Sequence, residues 1–116
     1  MIDAVVRVFT HAAGNVHRGV HALSEAATEA FEHARAAIAA FVGGAVDEIV
    51  LTRGTTEAIN LVAHGWGPRH VGAGDAVVVS ALEHHSNLVP WQVLCAARGA
   101  TLRIAPVDDR GRIDLA

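Results

Sequence analysis

The sequence predicts an α/β protein with a partial parallel sheet that follows N-terminal helices. In the second half of the chain, short β-branched runs alternate with segments of helical periodicity, which is typical of a parallel sheet. The first part has only helical periodicity and ends at Gly43-Gly44. The 116 residues, 52% of them apolar and 18% charged, suffice for one domain at most and do not resemble a disordered tail.

Two helices are expected in the first part. Ala4 to Thr10 predicts a short helix, and Asn15 to Ala22 is a loop rich in His and Gly. Ser24 has the side chain of an N-cap for a second helix, which Gly43-Gly44 ends. Spacings of four and three place a set of apolar residues on one face of this helix: Ala27, Phe31, Ala34, Ile38 and Phe41.

The remaining elements alternate. Strands are predicted at Glu48 to Thr52, Ala76 to Ser80 and Thr101 to Ala105, the second of them buried on both faces. The first connecting helix spans Thr55 to Trp66, where Gly65, Gly67 and Pro68 should end it. The second spans Asn87 to Arg98, with Pro90 in its first turn and Gly99 as its C-cap. Arg110-Gly111 predicts a turn.

This order divides the chain into a helical segment with a His/Arg loop, residues 1–44, and a βαβαβ core, residues 45–116. Three parallel strands would leave both sheet edges open to pairing with further strands. The domain therefore reads as part of a larger α/β domain.

Composition excludes several function classes. The net charge of −3 argues against nucleic acid and polybasic membrane partners, and no apolar run approaches the roughly 18 residues of a membrane span. Cys95 is the single cysteine, which excludes an internal disulfide and suits a reducing compartment. A cytoplasmic location is expected. All nine basic residues are arginines, so no side-chain amine is present for a Schiff base.

The turn Gly54-Thr55-Thr56 predicts an anion site. It follows a predicted strand and begins a helix, where backbone N–H groups and the helix dipole favour a phosphate. Thr55 or Thr56 can cap the helix and bond a phosphate oxygen. A capped helix without a ligand is the alternative interpretation.

Two further segments carry polar side chains. Glu83 to Asn87 follows the second predicted strand, and the carboxyl ends of strands are where open α/β sheets bind ligands. An imidazole in this segment could stack on a flat ligand. A solvated His pair that caps a helix is the alternative interpretation. The loop with His17, Arg18 and His21 could recognise an anion. No helical His-x-x-x-His and no Cys pair supports a metal site, so none is expected. Cys95 is expected to be a packed side chain rather than a nucleophile.

These three segments together resemble the class V aminotransferase family, most closely the SUF-type (group II) cysteine desulfurases. The resemblance extends over nearly the whole chain and includes four stretches: NVHRGVHALSEAAT (15–28), TRGTTEAINLVA (52–63), EHHSNLVPWQVL (83–94) and GATLRIAPVDDRGRIDL (99–115). It implies the N-terminal fragment of a fold-type-I large domain, which binds pyridoxal 5′-phosphate (PLP), in an enzyme that works as a homodimer.

The resemblance also implies roles for individual residues. Gly54, Thr55 and Thr56 correspond to the phosphate-binding turn, with Thr56 the better candidate for a hydroxyl contact. His84 corresponds to the imidazole that stacks on the pyridine ring. His17 and Arg18 correspond to loop residues that border the active-site mouth, close to the substrate.

The family's lysine, its catalytic cysteine, the Asp at the pyridine nitrogen and the Arg that holds the substrate carboxylate have no counterparts here. No catalytic residue is therefore assigned, PLP would be held non-covalently at most, and the chain is expected to be truncated at both ends. Complete relatives convert L-cysteine to L-alanine with persulfide sulfur for iron–sulfur cluster assembly, and a sulfur-acceptor protein is a possible partner.

Two alternatives to a desulfurase segment remain open. The chain could be a non-catalytic fragment or interaction module that pairs with a full-length homologue. It could also be an unrelated phosphate- or nucleotide-binding domain, although neither Gly-x-Gly-x-x-Gly nor the P-loop pattern is present.

Overall fold

The computed structural model describes residues 1–113, which form parts of two compact units, Met1–Leu51 and Thr52–Ala116. The last three residues of the predicted core, 114–116, lie outside the described residues. Within the described range, no helix combines the length and the apolar character that a membrane crossing requires.

The first unit consists of two helices and a short 3₁₀ turn. Helix α1 spans Ile2–His11 and α2 spans Ala22–Val42, followed by the 3₁₀ turn Val46–Glu48. Both predicted helices are thus confirmed, and α1 is longer than expected. Gly43 ends α2 with a φ of 74°, the left-handed conformation that glycine adopts without strain.

The predicted N-cap of α2 was wrong. His21 occupies that position, and its Nδ1 accepts a hydrogen bond from the Ser24 backbone N–H at 3.4 Å. Ser24 is instead fully buried, and its hydroxyl donates to the Asn15 carbonyl. Because α2 begins at Ala22, Ser24 is the third residue of the helix and does not stand at the N-cap position.

The predicted apolar face of α2 is only partly covered. Ala27 is 7% exposed, whereas Ile38 is 41% exposed and Phe41, at the C-terminal end of the predicted stripe, is 91% exposed. Helical spacing placed these residues on one face, but it did not say how much of that face the chain buries.

The strand predicted at Glu48 to Thr52 does not form. Glu48 ends the 3₁₀ turn, and residues 49–52 belong to no helix or strand. Ile49 has extended dihedral angles, φ −97° and ψ 118°. A strand also needs a hydrogen-bonded neighbour, and this segment pairs with no other part of the described chain.

The second unit contains a two-stranded parallel sheet and its connecting helix. Strand β1 spans Ala76–Ser80 and β2 spans Thr101–Ala105, paired from Ala76 with Thr101 to Ser80 with Ala105. Helix α5, Val89–Arg98, lies between them in sequence and ends at Gly99, which has a φ of 69°. Both strands match their predicted bounds, and the parallel pairing is confirmed.

The β1 side chains are not buried on both faces as expected. Val79 is 7% exposed, whereas Val78, which points to the opposite face, is 64% exposed. Helix α5 contacts both strands and contributes Leu94 and Cys95 to the core. Cys95 is thus a buried free thiol, which confirms its predicted packing role.

The helix that follows Gly54 is longer than expected. Helix α3 spans Thr55–Leu61, continues as one π-helical segment, Val62–Trp66, and then as α4, Gly67–His70. The predicted end at Gly65 to Pro68 was wrong because the wider turn moves the hydrogen-bond register. The Gly67 N–H bonds the Val62 carbonyl, and Pro68 occupies the first turn of α4, where a missing N–H is tolerated.

Candidate functional site

The predicted anion turn lies at the start of α3, in the second unit. Gly54 is its N-cap and is fully extended, with φ 164° and ψ 176°. Neither threonine caps the helix with its side chain, contrary to one of the two roles predicted for Thr55 and Thr56. Thr52 Oγ1 donates instead to the Gly54 carbonyl at 3.2 Å and fixes the turn.

Five donor groups at this turn have no protein partner among residues 1–113. The first backbone N–H that is bonded within the helix belongs to Ala58, which donates to the Gly54 carbonyl at 3.1 Å. The N–H groups of Thr55, Thr56 and Glu57, and both threonine hydroxyls, therefore remain available to a ligand. A Cβ on Gly54 would meet no atom within 4 Å, so the space in front of the turn is open.

An ion pair between Arg53 and Glu57 stabilises the turn. Arg53 donates its backbone N–H to Glu57 Oε2 at 2.7 Å and its guanidinium to both carboxylate oxygens, at 3.2 and 3.3 Å. The Arg53 side chain, and after it the Arg53 backbone N–H, hold the pKa of Glu57 below its ordinary value. Glu57 therefore stays ionised while Arg53 holds it beside the turn.

The second predicted segment begins at the carboxyl end of β1. Ser80 Oγ donates to Glu83 Oε1 at 2.7 Å, and Asn87 Nδ2 donates to Glu83 Oε2 at 2.8 Å. The Ser80 hydroxyl, and after it the Asn87 amide, hold the pKa of Glu83 below its ordinary value. Trp91 Nε1 donates to Asn87 Oδ1 at 2.9 Å, which connects this turn to α5.

His84 caps the 3₁₀ turn His85–Asn87. Its Nδ1 accepts a hydrogen bond from the Ser86 N–H at 3.3 Å and lies 3.1 Å from Ser86 Oγ. In the neutral ring the proton is therefore on Nε2. The ring of His85 packs edge-on against it, at 5.2 Å between centroids and 86° between planes. The imidazole is exposed but oriented by its own turn.

One pocket brings the two predicted segments together. A cavity of about 390 Å³ is lined by Thr56 from α3 and by His84 from the β1–α5 connection. A second cavity of about 420 Å³ is lined by residues 53–57 and Asn60, and it shares Thr56 and Asn60 with the first. Hydroxyl, backbone N–H and imidazole groups at adjoining cavities fit a flat phosphorylated ligand.

Among the residues of this pocket that sequence reasoning missed, two are polar residues of the helix after Gly54. Asn60 and His64 line it beside Thr56, and their positions, four and eight residues after Thr56, give one stripe along the helical segment. Asn60 Nδ2 also donates to the Thr56 carbonyl at 2.8 Å. Both residues lie within the helix predicted from Thr55 to Trp66, and their spacing of four residues was the signal that could have found them.

His17 and Arg18 belong to the first unit. His17 has a φ of 58°, unusual for a residue with a side chain and costing about 1 kcal/mol or more. Its Nε2 lies 3.0 Å from Glu32 Oε1 in α2. Arg18 donates its backbone N–H to the Asn15 carbonyl at 3.3 Å and is exposed. Within residues 1–113, no group of three His, Cys, Asp or Glu side chains is placed to hold a metal ion.

Comparisons with known proteins agree on one family. The profile described as Aminotransferase class-V matches residues 1–116. A probable cysteine desulfurase of Mycolicibacterium paratuberculosis is 48% identical over 114 residues, which are 97% of this chain and 17% of that protein. An apo cysteine desulfurase structure from Thermococcus onnurineus NA1 is 42% identical with a TM-score of 0.88, over 98% of this chain and 28% of that one.

A more distant structure supports the fold alone. A C-DES variant with glycine covalently linked to its PLP cofactor is 22% identical, with a TM-score of 0.72 over 91% of this chain and 26% of that one. The neighbours identify the two units as parts of a fold-type-I large domain, and the chain spans less than a third of each relative named here. Because the family profile matches every residue, the chain belongs to the class-V aminotransferase family.

Proposed function

We propose that this chain is the N-terminal segment of a PLP-dependent cysteine desulfurase. The observation that carries the proposal is the shared pocket of Thr56 and His84, within a chain that matches the class-V family over its whole length. Desulfurase relatives such as the one that is 48% identical to this chain support the choice of this activity within that family. The complete reaction would convert L-cysteine to L-alanine and deliver persulfide sulfur for iron–sulfur cluster assembly.

The phosphate of PLP would lie at Gly54, Thr55 and Thr56. The N–H groups and hydroxyls there that have no partner within residues 1–113 suit its charge, and the open space in front of Gly54 admits its oxygens. The His84 imidazole, held by Ser86, would stack on the pyridine ring. His17 and Arg18 would border the substrate.

PLP supplies the electron sink for desulfurase chemistry when it is bound. The 116 residues contain no lysine, so this chain would hold the cofactor without a covalent side-chain bond. By itself the chain is therefore proposed to be inactive. We assign its helical part to residues 1–44 and its core to residues 45–116. The complete enzyme is proposed to be a cytoplasmic homodimer that passes sulfur to an acceptor protein.

A chimera tests this function. The segment would replace the corresponding part of the Thermococcus onnurineus desulfurase, and alanine and sulfide release from cysteine would be measured. The active chimera should lose most of its activity with His84→Ala and retain it with Thr101→Val, a substitution at an exposed threonine outside the pocket. A folded, PLP-loaded chimera that releases no alanine would overturn the proposal.

Titration of the chain with PLP and with ATP separates this function from nucleotide binding. PLP should bind and ATP should not, because His84 and Thr56 serve one ring and one phosphate group. Binding of ATP without PLP would overturn the choice of cofactor.

A second candidate function is that of an interaction module. Exposed apolar side chains support it, since Phe9 is 75% exposed and Phe41 is 91% exposed. Open strand edges support it too, since β1 and β2 each have one unpaired edge within the described sheet. The partner would be a full-length homologue. Size-exclusion chromatography with and without that homologue tests the candidate; a well-behaved monomer that ignores the partner would contradict it.

A further inference from the structure

The loop that carries His17, residues 14–21, is clamped onto the first turns of α2. Ser24 is fully buried and its hydroxyl donates to the Asn15 carbonyl. A Cβ on Gly14 would lie 2.7 Å from the Leu23 carbonyl oxygen, and one on Gly19 would collide with the Ser24 side chain. The loop backbone therefore has little room to move relative to α2.

His17 itself is held from three positions on one face of α2. Its backbone N–H donates to Thr28 Oγ1 at 3.0 Å. Its ring packs edge-on against Phe31, at 5.8 Å between centroids and 87° between planes. Its Nε2 lies 3.0 Å from Glu32 Oε1. These contacts together stabilise a left-handed backbone conformation that a histidine seldom adopts, φ 58°.

The Glu32 carboxylate is divided between two partners. Arg35 binds Oε2 through Nη2 at 2.8 Å and Nε at 3.0 Å, which leaves Oε1 for His17. The side chains of Arg35 and Glu32 are 29% and 34% exposed, whereas that of His17 is 55% exposed. Arg35 thus fixes Oε2 of the Glu32 carboxylate, and the edge of the His17 imidazole opposite Nε2 faces solvent.

We infer that Glu32 is a positioning residue for His17. Glu32 Oε1 lies 3.0 Å from Nε2, and because a carboxylate oxygen is negatively charged and cannot donate, it favours the neutral ring with its proton on Nε2. Nδ1, which has no hydrogen-bond partner within residues 1–113, is then an acceptor for a donor group of the ligand. The inference rests on the proposed function only for the placement of His17 near a ligand; the tautomer is set within residues 14–35.

The ring tautomer of His17 tests the inference in the ligand-free chain. Two-bond ¹⁵N–¹H correlations of the ¹⁵N-labelled protein, recorded where the ring is neutral, report which nitrogen carries the proton. The wild type should show the Nε2–H form, and Glu32→Ala should shift the ring nitrogens toward the averaged values of a free imidazole. Glu32→Gln should restore the wild-type pattern, because its carbonyl oxygen also accepts from Nε2–H.

Glu29→Ala is the matched control, since Glu29 lies on α2 and has no ion pair within the described chain. Its His17 signals should match the wild type. Unchanged His17 nitrogen shifts in a folded Glu32→Ala variant would overturn the inference. If that variant does not fold, the Gln variant decides: its ring signals should match the wild type, and a free-imidazole pattern would overturn the inference.

The desulfurase chimera adds a functional measurement. Glu32→Ala should raise KM for cysteine by about tenfold, the order expected for one misplaced hydrogen bond, with the PLP absorbance unchanged. An unchanged KM would overturn the ligand-facing role. Failure of PLP to bind at all would contradict the proposed function and leave the tautomer result standing.

Discussion

The removal of one hydroxyl, Thr56→Val, should weaken PLP binding by a predictable amount. Valine keeps the shape and β-branching of threonine, and the hydroxyl has no partner among the described residues in the ligand-free protein. The substitution therefore removes no hydrogen bond from the ligand-free protein, and only the complex with PLP is weakened. One charge-assisted hydrogen bond contributes about 1–2 kcal/mol, so the dissociation constant should rise roughly 5- to 30-fold.

Fluorescence or absorbance titration with PLP measures this change. Thr101→Val, which alters an exposed threonine outside the pocket, should bind PLP like the wild type. An equal loss in both variants would point to a general effect of the substitution. An unchanged dissociation constant in Thr56→Val would refute the role of this hydroxyl at the phosphate.

Three further predictions concern stability and association. Gly99→Ala should lower the free energy of unfolding by about 1 kcal/mol, because φ is 69° at this position. Steric overlap is not the cause, since the new methyl would meet only Ala73, at 3.7 Å. Gly72→Ala is the control in urea unfolding, and an equal loss in both variants would contradict the backbone explanation. Ser80→Ala should raise the pKa of Glu83 toward its ordinary value in a ¹³C carboxyl titration. Because folding lowers this pKa, the stabilisation is present above the unfolded-state pKa and is lost as pH falls through the folded one; an unchanged pKa in the variant would exclude the hydroxyl as its cause. Phe41→Glu should reduce self-association in sedimentation experiments and change stability by less than about 0.5 kcal/mol, since this ring is 91% exposed; a large loss of stability would show that the ring packs in the folded chain.

Local sequence signals predicted most of the fold. The strands Ala76–Ser80 and Thr101–Ala105 have their predicted bounds because turn residues delimit each stretch and the two stretches pair with each other. Gly43 and Gly99 were recognisable as helix ends because left-handed dihedral angles favour glycine. The turn at Thr56 and the segment at His84 were each predicted to belong to a ligand site, and they line one pocket.

The wrong predictions depended on non-local partners or on helix register. Ile49 is extended as expected, but no neighbouring strand within the described chain pairs with its segment. Ser24 has a capping side chain, but the helix begins two residues before it, at Ala22, so His21 occupies the N-cap position. The helix after Gly54 continues past Gly65 through a π turn, a register change that no local propensity scale encodes.

Amide chemical-shift mapping during titration with PLP tests the central claim most directly, because it locates the ligand within the chain. The N–H signals of Gly54 to Glu57 and of His84 to Ser86 should shift together and saturate at one PLP per chain, with those of Thr101 to Ala105 unchanged. Shifts at only one of the two segments, or scattered shifts that do not saturate, would contradict a common cofactor pocket formed by Thr56 and His84.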